Sequence, residues 1–240
     1  MSGKVGSITT GIITDGLVFN VDAANRASYP RTGINMFDTL DTSLSASFQD
    51  SGTSPLPQFD SSQGQGVINF DGTDDFVATN TNFTAFTTNS WAIDVWIKMV
   101  SGHSGFSEIC GNGLPLQFYV NGNKLISYLS STNNTNTYFI NGFGSTTNSI
   151  PADTWRHVVF TRDINNYHYY INGALDTSTT SDSSVCASAL YNLWLGNFPP
   201  GGGSSYAFDG DMGPFHVYNR ALSANEVLHN YNALKGRFGL

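Results

Sequence analysis

Ser90-Trp-Ala-Ile-Asp-Val-Trp-Ile-Lys98 alternates without a break. On an extended chain successive side chains point to opposite sides. Trp91, Ile93, Val95 and Ile97 therefore share one face, and Ala92, Asp94, Trp96 and Lys98 share the other. Large apolar residues at a period of two predict a strand with one face in a core. Outward from it, Gly16–Asp22 alternates in the same way, with Leu17, Phe19 and Val21 on one face. Further strands are predicted over 67–71, 75–79, 115–120, 124–129, 137–140, 155–162, 167–171, 191–196 and 215–219. Asn121-Gly122 and Asn172-Gly173 lie between such runs, and Asn-Gly favours the positive φ of a type I′ hairpin turn. Many short strands divided by turn signals predict an antiparallel sandwich or barrel.

One segment reads differently. Ser223 can cap a helix and Glu226, three residues on, completes a capping box. Val227, Leu228, Tyr231 and Leu234 form one apolar stripe, and Gly236 is placed to end the helix in the left-handed conformation. Thr32–Ser62, rich in Ser, Asp, Thr and Gln, reads as a long excursion with one short strand.

Composition narrows the function. Of 240 residues, 10 are basic and 18 acidic, a net charge of −8. That balance argues against nucleic acid and against an anionic membrane surface, both of which need a basic stripe. Charged residues are only 12% while 40% are hydrophobic, so a neutral, turn-rich surface should enclose a full core. No apolar run is long enough to span a bilayer. The first ten residues lack a continuous apolar stretch, so no secretory leader is expected. Cys110 and Cys186 are then expected as reduced core thiols.

Four segments together resemble the concanavalin A-like, laminin-G-like jelly-roll family. The first two are Phe70-Asp-Gly-Thr-Asp-Asp-Phe-Val77 and Trp91-Ala-Ile-Asp-Val-Trp-Ile97. The third is Trp155-Arg-His-Val-Val-Phe-Thr-Arg-Asp163 with Tyr169-Tyr-Ile-Asn-Gly-Ala-Leu175. The fourth is Phe208-Asp-Gly-Asp-Met-Gly-Pro-Phe-His-Val-Tyr-Asn-Arg-Ala-Leu-Ser223. The resemblance implies an all-β, antiparallel two-sheet jelly-roll sandwich with one short C-terminal helix. Residues 13–30 and 230–239 are similar to the ends of such domains in structural proteins of tailed phages of marine and cyanobacterial hosts. That group carries a Trp-Asp-Leu-Ser-Gly-like element after Tyr29-Pro30, where this chain reads Asn35-Met-Phe-Asp-Thr-Leu40. The expected organisation is an N-terminal arm over 1–14 and a single sandwich domain over 15–240.

The same fold hosts glucanases, which need two carboxyls about 5–5.5 Å apart. Only two glutamates exist, Glu108 and Glu226; the capping box takes Glu226, and Glu108 has no carboxylate partner on its strand. No catalytic residue is therefore expected, and the chain reads as a non-enzyme. Asp71, Asp74 and Asp75 cluster, as do Asp209 and Asp211. Asp-Gly turns account for them, so no metal or other cofactor is assigned; the alternative is a rim Ca2+, which several laminin-G-like domains hold. His157, His168 and His216 lie in strands without zinc spacing and read as cross-strand packing partners. Phe198 and Tyr206 flank the loop Pro199–Ser205, and Tyr138 follows an Asn/Thr-rich run; these three rings are the candidate carbohydrate contacts.

The expected function is that of a non-enzymatic phage virion structural protein, a surface decoration or adhesion module on capsid or tail. The alternative is a lectin-like domain recognising host surface glycans. Expected partners are other virion proteins and host glycans, with the chain a homo-oligomer or assembled subunit in the virion, and the arm, about Gly3 to Thr14, an assembly element.

Overall fold

The computed structural model describes residues 11–52, 55–102, 105–133, 137–200 and 205–240. Most of the arm, with its expected assembly role, lies outside the described residues.

The described strands form two antiparallel sheets of eight. In the first sheet the order is β14 (Ala174–Thr180), β13 (Asn166–Ile171), β12 (Arg156–Asp163), β7 (Ser90–Met99), β16 (Asp209–Tyr218), β5 (Val67–Asp71) and β4 (Gln58–Asp60). There β1 (Leu17–Val21) also pairs with β16. The second runs β11 (Tyr138–Gly144), β10 (Lys124–Ser130), β9 (Leu116–Asn121), β8 (Phe106–Gly111), β15 (Trp194–Leu195), β6 (Asp75–Thr79), β3 (Ser45–Asp50) and β2 (Asn35–Phe37). Among the described residues a single α-helix, α1 (Ala224–Leu234), follows β16. This is a jelly-roll sandwich of the concanavalin A type.

The core lies between the sheets. Trp91, Ile93, Val95 and Ile97 of β7 are fully buried and meet Phe118, Val120, Leu125 and Leu129 of the second sheet in one cluster. Each such side chain contributes about 1.5–3 kcal/mol by leaving water. The other face of β7 is buried as well, since Ala92, Asp94 and Trp96 are inaccessible. That face is covered by α1 and the tail after it. Trp96 stacks on Phe238 at 4.2 Å and on Tyr231 at 5.9 Å. Gly213 is required there, because a Cβ would stand 2.9 Å from the Phe238 ring and 3.0 Å from the Trp96 Cβ.

Several local expectations change. Thr32–Ser62 contains three strands, β2, β3 and β4, rather than one; they are short edge elements with few apolar positions to reveal a period. Strands β8 and β14 lie outside the predicted runs, the first because Ser107 and Glu108 are buried polar residues, the second because it is a polar edge. The run 191–196 shortens to β15, and 215–219 extends back to Asp209. Asn172-Gly173 forms its hairpin with φ of 51° and 80°, as a type I′ turn requires. In the β9–β10 hairpin the register pairs Asn121 with Lys124, so the central residues are Gly122 and Asn123, and only Gly122 has positive φ. The capping box at Ser223 and Glu226 forms. Leu228 is exposed and Asn230 is buried in its place, while the chain past Lys235 continues as a 3-10 turn that ends at Gly239, φ 74°, rather than at Gly236.

The end segments pack on each other. Ile12 and Ile13 lie against the cluster of Leu17, Val159, Tyr170, Leu222 and Val227. The Ile13 N–H donates to Asn230 Oδ1 at 2.8 Å, and the Arg237 guanidinium pairs with Asp22 at 2.7 Å. Cys110 and Cys186 are buried free thiols.

Candidate functional site

Alternation on β9 sends Leu116, Phe118 and Val120 into the core and leaves Gln117 and Tyr119 on the outer face of the second sheet. In register, β8 sets Glu108 beside Tyr119, and β10 sets Tyr128 beside Gln117. Tyr138 opens β11 one strand further on, and the Glu108 N–H donates to the Tyr206 carbonyl at 2.8 Å, which pins the loop before β16 over β8. The result is a cleft of about 160 Å3 lined by Phe106, Gln117, Tyr119, Tyr128, Tyr138 and Tyr206.

Its rings form a chain. Phe198 and Tyr206 are 5.4 Å apart, Tyr206 and Tyr119 6.0 Å, Tyr119 and Tyr128 6.2 Å, and Tyr128 and Tyr138 5.4 Å. All three rings singled out from sequence are thus in one patch. Tyr138 and Tyr206 form walls, whereas Phe198 stands behind Tyr206. Tyr119 donates to Gln117 Oε1 at 2.5 Å, and Gln117 Nε2 donates to the Tyr138 hydroxyl at 2.7 Å.

Glu108 stands beside Tyr119 on the neighbouring strand. It is completely buried, its Oε2 has no hydrogen-bond partner, and the Phe118 N–H reaches its Oε1 at 3.4 Å. Burial pushes its carboxyl well above the ordinary range, and the Phe118 N–H and the Tyr119 hydroxyl oppose that only in part. Gly111 is needed beside it, because a Cβ there would meet Glu108 Oε1 at 2.3 Å.

The family model described as the concanavalin A-like lectin/glucanases superfamily matches residues 71–228. The chain belongs to that superfamily. A search of the curated proteins finds no match. Among solved structures, this concanavalin A-like chain is similar to the binding domain of Paraclostridial Mosquitocidal Protein 1, with 16% identity and a TM-score of 0.66 over 91% of this chain and 52% of that one. The binding domain of Botulinum Neurotoxin DC in complex with SialylT gives 16% identity and a TM-score of 0.64, over 92% of this chain and 52% of that one. Domain 4 of AbnA, an extracellular arabinanase from Geobacillus stearothermophilus, in complex with arabinotriose, gives 14% identity and a TM-score of 0.59, over 91% of this chain and 98% of that one. The chain thus spans about half the length of the toxin binding domains. At these identities the likeness is one of fold.

Phe106, Gln117, Tyr119 and Tyr128 escaped the sequence reading. Their signal was present: β9 carries a Tyr and a Gln on the face opposite its Leu, Phe and Val residues. Alternation assigns such residues to an outer face but does not say whether that face is open.

Elsewhere, the acidic clusters part ways. Asp71, Asp74 and Asp75 offer oxygens within 4.8 Å of one another at the β5–β6 turn. Asp75 Oδ2 accepts from the Asp71 N–H at 3.0 Å, while its buried Oδ1 has no partner. Burial first, then the charges of Asp71, Asp74 and Asp50, raise its carboxyl to about 7. Asp211, by contrast, pairs with Lys98 at 2.8 Å.

His157 and His216 are buried partners of Asp94, at 3.1 and 3.2 Å from its Oδ1. A larger groove of about 440 Å3 lies between β12, β13 and the start of α1. Its Arg220 is held by Glu226 at 2.7 Å and Asp15 at 2.8 Å, so the described wall of the groove presents no free cation.

Proposed function

We propose that this concanavalin A-like chain is a non-catalytic glycan-binding module serving as a surface decoration or adhesion element of a phage particle. The observation that carries the first part is the convergence of five aromatic rings and one amide on an open sheet face. Rings present apolar faces to the C–H face of a sugar, and the amide and phenol groups address its hydroxyls. The arabinanase domain in complex with arabinotriose supports the reading, because it shares this fold over almost its whole length. Among the described residues, the pocket wall carries no carboxyl, whereas glycoside hydrolysis requires a pair. The particle context rests on residues 13–30 and 230–239, whose phage-like sequences pack into one unit through Asp22 and Arg237.

Glycan-array binding by the purified chain, lost on Tyr206→Ala or Tyr138→Ala, tests the first part. Co-sedimentation with particles tests the second. Binding to no glycan, or binding unchanged in both variants, would sink the module reading.

A rim cation is a second component, favoured by the partnerless Asp75 Oδ1. Asp71, Asp74 and Asp75 would hold a divalent ion, which neutralises three adjacent carboxylates. Calcium should then raise Tm for the parent and not for Asp75→Asn. Equal midpoints with calcium and with chelator would leave the three residues as turn formers.

A further inference from the structure

We propose that the aromatic pocket takes one uncharged sugar ring, and that a directed hydrogen-bond chain from Tyr119 through Gln117 turns the Tyr138 hydroxyl outward as the donor to it. The proposal rests on the glycan-binding reading and names the ligand class and the residues that set it.

The direction of the chain follows from what each group can do. The Leu114 carbonyl can only accept, and it takes a hydrogen from Gln117 Nε2 at 3.3 Å. That fixes the Gln117 amide: its nitrogen faces Leu114 and Tyr138, its oxygen faces Tyr119. The Tyr138 oxygen therefore accepts from Gln117, at 2.7 Å, and its own proton has no acceptor among the described contacts. Tyr119 must in turn donate to Gln117 Oε1, at 2.5 Å. Tyr119 and Gln117 are positioning residues, and Tyr138 is the contact.

The ligand class follows from the wall. Its described residues are five rings and one amide, with no Lys, Arg or His. The adjoining segments 134–136 and 201–204, which lie outside the described residues, contain only Asn, Thr, Gly and Ser. A carboxylate sugar would find no cation to pair with and would approach a chain of net charge −8. A neutral ring loses little on leaving water, stacks on the phenols and gives Tyr138 an acceptor oxygen. The cleft of about 160 Å3 suits one ring with the rest of the glycan outside.

Calorimetric titration of the full chain with lactose, maltotriose and cellotriose, against sialyllactose and a galacturonic acid trimer, tests the class. At least one neutral sugar should bind about tenfold or more tighter than either acid. The chain is tested on the best neutral sugar. Tyr138→Phe and Gln117→Glu, which removes the donor to Tyr138, should each weaken binding about tenfold, the worth of one hydrogen bond. An acidic sugar binding as tightly as the best neutral one overturns the ligand class while leaving the module reading intact. Full affinity in Tyr138→Phe or in Gln117→Glu overturns the directed chain. Binding of no sugar at all overturns the module reading and this one together.

Discussion

The two outer faces of the sandwich use a buried carboxyl in opposite ways. On the first sheet, Asp94 lies under α1 and receives three donors: His157 and His216 on Oδ1, and Asn230 Nδ2 on Oδ2 at 2.8 Å. On the second sheet, Glu108 lies beside Tyr119 of the aromatic cleft, with one N–H contact and an oxygen without a partner. Burial raises both, but the charge of His157 and the hydrogen bonds of the two histidines overcome it at Asp94 and hold that carboxyl well below the ordinary range. At Glu108 burial prevails. The number of donors, not the depth, decides whether a buried acid is charged. The covered face uses the charge as a staple: Asn230 also bonds Tyr218, whose hydroxyl donates to the Ile13 carbonyl at 2.9 Å, so helix, strand and N-terminal segment meet at one anion. On the open face burial acts without such donors and raises the carboxyl.

The sharpest break in this comparison is Asp94→Ala. It leaves two histidines and an amide in a dry site without their acceptor. Removing one side of such a cluster costs about 3–5 kcal/mol. Chemical denaturation at pH 7 should show that loss. A loss under about 1 kcal/mol would mean the staple carries no stability and the helix is held by Trp96 and its neighbours alone.

Glu108→Gln should have the opposite sign. The folded carboxyl titrates well above its unfolded value, so over the intervening range the folded state binds the extra proton. The stability from the neutral form is complete below the unfolded value, about pH 4.3, and is lost as pH rises toward the folded one. Parent stability should fall relative to Glu108→Gln as pH rises above about 5 toward the raised folded value, with a slope approaching about 1.4 kcal/mol per pH unit. Parallel curves for the two proteins would show Glu108 already ionised when folded.

The legibility of the two faces differs for the same physical reason. The β7 core face was readable because Trp91, Ile93, Val95 and Ile97 repeat at the strand period. Its second face was only half readable: Asp94 and Trp96 look like outward residues until α1 is laid across them, and a covering helix leaves no mark on the strand it covers. The capping box announced α1, yet Asn230, the residue that bonds Asp94, reads as a polar surface position. On the open face, Tyr138 and Tyr206 were found because loop aromatics among Asn, Thr and Gly are conspicuous. Tyr119, Tyr128 and Phe106 were not, because an aromatic within a strand reads as core. Glu108 has no carboxylate partner in the sequence, and nothing in the sequence around it marks its burial.

Asp75, at the rim between the faces, sits between the two cases. It has one backbone donor, and its carboxyl is raised to about 7. Its neutral-form stability is complete below the unfolded value near 3.9 and is lost as pH rises to about 7. Asparagine keeps the acceptor for the Asp71 N–H and carries no charge. In chelator, Asp75→Asn should gain about 1–3 kcal/mol at pH 8 and little at pH 4. An equal effect at both pH values would remove the carboxyl's charge as the cause and place Asp75 with the fully satisfied acids.

The smallest effect on stability is expected where the comparison matters most for function. Tyr206 belongs to a loop and is only half-buried, resting on Phe106, Tyr119 and Phe198 rather than inside the sandwich. Tyr206→Ala forfeits ring contacts worth about 0.5–1.5 kcal/mol, and at this chain length about 1 kcal/mol moves Tm by roughly 2–4 °C. The same change removes one wall of the cleft, so sugar affinity should fall about tenfold, the equivalent of about 1.4 kcal/mol. A ring on the covered face cannot separate the two readouts, because Trp96 is packed on Phe238 and Tyr231 and has no access to a ligand. If Tyr206→Ala instead lowered Tm by ten degrees or more with affinity unchanged, the rings of the second face would be packing for the loop before β16, and the two faces would differ in covering alone.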